Sequence, residues 1–245
     1  MSDLILLSTQ DRVAVLTMNT AENRHNPAFV SAFHQRLDEI EANKALSAVV
    51  LTSSSDKNWS LGIDLEWMSQ PQLTAEQNGE FMLSVTALFK RLLCFPMPLI
   101  AAINGHAFGN GSVLACACDF RFMKRDKGFF CFPEVDVLVP FFPSMFPMIH
   151  KAIPPTFFNR LAMTGERVGA DQLAQHQVIE AAYDDADSLY EGVMAFAAQF
   201  NKNRWIYGQN KTQMNQAILT KMAEEDPAFV AQVSPLLLQG LRAKR

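Results

Sequence analysis

Apolar and polar residues alternate from Leu4 to Met18 on either side of Gln10-Asp11. A period of two interrupted by a polar pair predicts a β-hairpin. The period then lengthens. Phe29, Phe33, Leu37 and Ile40 recur at helical spacing behind Asn26-Pro27, a capping residue followed by proline at the first helical position. Ala48 to Thr52 reads as a short apolar strand. Thr74-Ala75-Glu76-Gln77 has the form of a capping box. It opens a helix carrying Phe81, Val85, Leu88 and Leu92, which Pro96 and Pro98 stop. A strand over Pro98–Ile103, a short helix over Gly109–Cys118 and a strand over Asp119–Met123 follow. Strands alternating with helices predict the α/β class, with right-handed βαβ crossovers. Beyond Glu134 the pattern is helical, at about 144–152, 155–163, 170–177, 186–200, 205–222 and 227–241. The stretch Gly128–Pro147 is dense in Phe and Pro and suits a pocket wall better than regular structure. The chain thus divides into a βαβ core over residues 1–185 and a helical region over 186–245.

Two segments offer backbone chemistry. Pro98 to Val113 reads as a buried strand, a turn, and a small-residue loop (Gly109-Asn110-Gly111) that opens a helix. Such a junction aims several N–H groups at one spot and can hold a negatively charged oxygen. Trp59-Ser60-Leu61-Gly62-Ile63-Asp64-Leu65 is a second strand end with a glycine. Alone it is a weak signal that reads more readily as a plain turn. Together the two segments can each lend one N–H to the same oxygen. Glu134 stands between Phe129-Phe130-Cys131-Phe132-Pro133 and Val135. Burial there would raise its pKa and make it a base working near neutral pH. A solvent-facing turn glutamate is the alternative, and Asp136 is its rival, sharing one face with Glu134 if the segment is extended. The aromatic residues Phe132, Phe141, Phe142 and Phe146 would wall such a site or serve as plain core.

Other chemistries lack their signatures. His25, His34, His106, His150 and His176 have no metal-ligand spacing, so no metal is expected. No nucleophile elbow, P-loop or dinucleotide-binding glycine motif occurs, and Ser112 has no evident histidine partner. Cys116-Ala117-Cys118 is too closely spaced for a metal or redox pair, so the four cysteines read as buried thiols. The net charge of −4, without a basic stripe, argues against nucleic acid. No basic segment precedes an apolar run at the N-terminus, and no apolar run reaches membrane length. A cytoplasmic location without a membrane partner is expected.

Taken in order, these residues resemble the crotonase, or enoyl-CoA hydratase/isomerase, superfamily over nearly the whole chain. Asn23-Arg24-His25-Asn26-Pro27-Ala28-Phe29 is similar to the family's first helix start. Trp59 to Leu65 is similar to its F-[SC]-x-G-x-D-[LI] segment, and Ala102 to Gly111 to its A-x-x-G-x-A-x-G-G-G loop. Met163-Thr164-Gly165-Glu166-Arg167 with Ala170–Val178 is similar to its later L-T-G segment. The resemblance implies a spiral of ββα repeats with C-terminal helices that support a homotrimer or a dimer of trimers. It implies an acyl-CoA thioester as substrate, with coenzyme A part of that substrate and no separate cofactor. Catalytic residues would be Glu134 with the N–H groups of Ile63 and Asn110. Substrate would touch Arg24, His25, Ser60, Leu61, Gly62, Asp64, Leu65, Gly109, Phe132 and Phe142, with Arg24 and His25 toward the phosphates or pantetheine.

The departures narrow the expectation. Family hydratases carry two glutamates, one at the position of Glu134 and one where this chain has Val113. Hydration needs both to orient and ionise a water. A single carboxylate suits a proton shuttle from C2 to C4 of a 3-enoyl thioester. The run Glu134-Val135-Asp136-Val137-Leu138-Val139-Pro140 resembles the monofunctional Δ3,Δ2-enoyl-CoA isomerases of the plant peroxisomal type. Other acyl-CoA enzymes, such as a thioesterase or a hydratase with altered acids, and a non-catalytic acyl-CoA binder are the alternatives. Asn110 where the family has glycine keeps its N–H but adds a side chain that could narrow the pocket.

Overall fold

The computed structural model describes residues 3–243. Strands β1 (Ile5–Gln10) and β2 (Val13–Met18) form the expected antiparallel hairpin, turning at Asp11 with φ 53°. Helix α1 (Pro27–Ala42) starts where Asn26 accepts the Phe29 N–H at 3.0 Å. It buries Phe29, Val30, Phe33, Leu37 and Ile40. Then come β3 (Ala48–Ser53), β4 (Asn58–Ser60), α2 (Leu65–Met68) and α3 (Ala75–Cys94). Thr74 and Gln77 cap α3 reciprocally, which satisfies two otherwise orphaned N–H groups. Next are β5 (Leu99–Ile103), β6 (His106–Phe108), α4 (Asn110–Ala117), β7 (Phe120–Lys124), β8 (Phe130–Cys131) and α5 (Glu134–Val137). The chain closes with α6 (Met145–His150), α7 (Pro155–Thr164), α8 (Ala170–Gln175), β9 (Ala181–Tyr183), α9 (Ala186–Ala197), α10 (Arg204–Met214), α11 (Gln216–Glu224) and α12 (Asp226–Ala243).

The strands sort into two sheets. One runs β1-β2-β3-β5-β7-β9, the other β4-β6-β8. Beyond the first hairpin every pairing is parallel. Each unit β3-β4-α2, β5-β6-α4 and β7-β8-α5 gives its first strand to the large sheet and its second to the small one. The result is a spiral of ββα turns. The large sheet is covered on both sides, which is why β3 and β5 are almost wholly apolar. One face packs on α1, α3 and α4 through Leu16, Leu51 and Ala101. The other packs on α9 through Val13, Val15, Val50, Ile100, Leu189 and Val193. Residues 186–197 therefore pack with the strand core rather than apart from it.

Other departures are local. The small-sheet strands are two or three residues long, too short for a period to register. Strand β9 lies within the region expected to be helical and extends the large sheet from β7. The helix expected over 205–222 breaks at Asn215, where φ is −97° and ψ 6°. The Asn215 side chain donates to the Leu93 carbonyl of α3 at 2.9 Å. Glu134–Val137 is helical rather than extended, and Asp136 is swung away from Glu134 toward Gly165.

Candidate active site

Backbone proximity builds the site. Gly62 has φ +74°, and a Cβ there would fall 2.7 Å from the Asn110 nitrogen and 2.7 Å from the Phe108 carbonyl oxygen. Contacts that short exclude any side chain. A Cβ on Gly111 would lie 2.2 Å from the Ser60 carbonyl oxygen. Glycine thus lets the β4 end and the start of α4 touch backbone to backbone. Asn110 is the first residue of α4, so its N–H has no helical acceptor. The Ile63 N–H is likewise unused among the described residues, because its neighbours make the bonds. His25 donates its N–H to the Gly62 carbonyl at 2.7 Å, and Asp64 donates to the His25 carbonyl at 2.9 Å.

Ile63 and Asn110 both line an apolar cavity of about 220 Å³. Arg24, Leu61, Ile63, Leu65, Gly109, Asn110, Glu134 and Phe142, all expected in the site, line it. Met82 and Val85 of α3, with Phe108, Pro133, Val137, Val139, Pro140 and Met145, complete it. Glu134 is the only carboxylate among the lining residues. Its Oε1 lies 3.5 Å from where a Cβ on Gly109 would stand, so the carboxyl group overhangs the residue preceding Asn110. Its Oε2 is buried without a hydrogen-bond partner among the described residues. Burial pushes its pKa up from 4.5 to about 8, against a smaller opposing pull from its own backbone N–H. Arg24, paired with Glu22 at 2.6 Å, is the cation at the edge.

Several expected contacts stand behind the lining. His25 is 1 % exposed, with both ring nitrogens engaged, so it does not reach toward a ligand. Ser60 is fully buried, and Gly62 is covered by the α4 start. Asp64 caps α2, accepting the Trp67 N–H at 2.8 Å and an Asn26 amide proton at 3.2 Å. Phe132 is core: it is fully buried among Phe130, Phe141 and Phe158 in edge contacts. Phe132, the residue after β8, packs into the core, while Glu134, the first residue of α5, faces the cavity. Phe142 alone of the expected aromatic wall faces the cavity, braced by Phe229 of α12. Met82 and Val85, which the sequence does not single out, carry no signal that separates lining from core. Val113 is fully buried in the core and takes no part in the lining.

The family model for enoyl-CoA hydratase/isomerase matches residues 8–233. Enoyl-CoA delta isomerase 1, peroxisomal, of Arabidopsis thaliana is 27 % identical over 221 residues, covering 87 % of this chain and 90 % of the relative. A protein of Thermus thermophilus named as an enoyl-CoA hydratase is 38 % identical over 195 residues, covering 78 % of this chain and 75 % of that one. The crystal structure of human mitochondrial delta3-delta2-enoyl-CoA isomerase superposes with a TM-score of 0.88 at 18 % identity, covering 98 % of this chain and 96 % of that one. The ββα spiral is thus the crotonase fold, and the chain belongs to the enoyl-CoA hydratase/isomerase family.

Proposed function

We propose that the protein moves the double bond of a 3-enoyl-CoA to the 2-trans position, with Glu134 as the one proton carrier. The observation that carries this reading is the solitary carboxylate of the cavity lining. The thioester carbonyl sits against the N–H groups of Ile63 and Asn110. Glu134, as carboxylate, removes a proton from C2. The C–H electron pair becomes a C1–C2 double bond, the carbonyl π pair moves onto the thioester oxygen as negative charge, and the C3–C4 double bond stays in place, which gives a dienolate; the C2–C3 double bond forms when C4 is protonated. Two preorganised N–H donors in a dry site stabilise that charge by several kcal/mol. The dienolate takes the proton back at C4 from the same carboxyl group, which leaves the conjugated thioester and a regenerated carboxylate. The apolar lining keeps water from the dienolate. Coenzyme A arrives as part of the substrate, its phosphates toward Arg24, and no separate cofactor is needed. The working unit in this reading is a homotrimer or a dimer of trimers.

The Thermus relative favours hydration as the second reading. Adding water needs a second carboxylate to orient it, and Val113, buried in the core, supplies none. The test follows conversion of 3-enoyl-CoA to the conjugated product by absorbance. The native protein is expected to catalyse it, and Glu134→Ala to lose about 10³-fold in kcat. Formation of 3-hydroxyacyl-CoA from 2-enoyl-CoA is expected to be negligible. Robust hydration, or full isomerase activity in the alanine variant, would overturn the reading.

A further inference from the structure

Behind the two N–H donors lies a polar network almost closed to solvent. Asn110 Nδ2 is 2.9 Å from His25 Nδ1, and His25 Nε2 is 3.0 Å from Ser60 Oγ. Ser60 donates its hydroxyl proton to the Asn23 carbonyl at 2.8 Å and accepts the Gly62 N–H at 3.2 Å. The imidazole stacks on Phe29 of α1, ring centroids 4.6 Å apart.

Proton accounting fixes the roles. The Asn23 carbonyl can only accept, so the single Ser60 proton is committed to it. His25 Nε2 must then donate to Ser60 Oγ. Burial drives the imidazole pKa down to about 3, so the ring is neutral and Nδ1 is an acceptor. Asn110 therefore donates to it. One ring nitrogen holds the residue that carries the α4 donor. The other holds the serine that fixes the N–H of Gly62, the residue before the second donor, Ile63. The His25 backbone adds its bonds on both sides of Ile63.

We propose that His25 is a positioning residue, a neutral spacer whose width sets the separation of the Ile63 and Asn110 N–H groups, and that the Asn110 side chain is its second half. This rests on the reading of those N–H groups as the thioester-oxygen site. It requires neither histidine nor asparagine side chain to touch the ligand. Truncation should therefore weaken polarisation of the carbonyl while leaving ground-state binding nearly intact.

The test uses His25→Phe, which keeps the stack on Phe29, and Asn110→Ala, which keeps the backbone N–H and guards against a His25 variant that fails to fold. Butanoyl-CoA labelled with ¹³C at the thioester carbonyl, a saturated probe that cannot isomerise, is bound to each protein. Difference infrared spectroscopy reads its carbonyl stretch. The native protein should shift the band to lower frequency. Both variants should lose most of that shift, with Kd for the probe within about threefold of native. Their kcat for 3-enoyl-CoA should fall about a hundredfold with little change in KM. A native-like band in either folded variant would overturn the proposal. So would a native protein that leaves the carbonyl unpolarised. If the native protein polarises the probe but isomerises nothing, and the variants lose the shift, the spacer stands and only the isomerase reading falls.

Discussion

Glu134 ties the chemistry to two pH measurements. Its folded pKa lies near 8 and its unfolded value near 4.5. In the proposed isomerisation only the carboxylate takes the C2 proton, so log kcat/KM should climb with unit slope to about pH 8 and then level off. A break near 4.5 would mean that substrate-free Glu134 is solvated rather than buried. Stability runs the other way. The unfolded chain loses this proton above pH 4.5 while the folded protein keeps it to about 8. A raised carboxyl pKa thus gives stability that is complete below 4.5 and is lost as pH rises through 8. Glu134→Gln removes the titration, so it should be more stable than native above pH 8, by about 5 kcal/mol, and match it near pH 4. Equal melting curves at pH 9 would contradict the burial. Glu134 was legible in the sequence because it is an isolated acid in an apolar run. The spacer was not: His25 and Asn110 lie 85 residues apart. Histidine at a helix start and asparagine in a glycine loop each have an unremarkable local explanation.

At the scale of elements, what the chain wrote in repeated period was readable, and what it wrote in two or three residues was not. The hairpin, α1, α3, β3, β5 and β7 each carry enough alternation, capping or apolar run to declare themselves. The small sheet, which sets the Gly62 and Gly109 turns, has no strand longer than three residues. It is held by the surrounding packing. Helix α12 adds a contact that periodicity alone does not foretell. Its Val233, Leu236, Leu237, Gly240 and Leu241 form an apolar groove with Val137, Leu138 and Pro140, and Val137 and Pro140 also line the main cavity. An acyl tail leaving the cavity past those two residues would lie along α12. A Cβ at Gly240 meets nothing within 4 Å, so a large side chain there would fill the groove without clashing at its root. Gly240→Trp should lower kcat/KM for long-chain 3-enoyl-CoA by about tenfold or more and leave four-carbon substrates nearly unchanged. A uniform loss across a chain-length series would remove the groove from the tail's path.

The whole molecule depends on the C-terminal helices to finish a site whose chemistry lies in the ββα spiral. Helix α12 packs along α3, close at Gly79, where a Cβ would come within 3.1 Å of Ser234 Oγ. That packing backs Met82 and Val85, two residues of the cavity wall. Lys211 of α10 reaches Asp119 at 2.7 Å, an ion pair nearly closed to solvent at the foot of β7. A further tie is at Asp226, the first residue of α12, which is fully buried and accepts both the N–H and the hydroxyl of Ser144. Ser144 precedes α6 between Phe142 and Met145, both of which line the cavity, and its hydroxyl turns to Asp226 rather than to the helix. One buried carboxylate therefore couples the seating of α12 to the position of the wall. Ser144→Ala removes the hydroxyl donor and leaves that carboxylate partly unsatisfied, a loss of about 1–3 kcal/mol. For a chain of this size the melting temperature should drop by roughly 3–10 °C. Because the wall moves and Glu134 does not, KM should rise several-fold while kcat stays within about twofold. A variant that melts lower with unchanged KM would make the tie purely structural. Unchanged melting would mean that Asp226 finds another donor and that α12 is held by its apolar face alone.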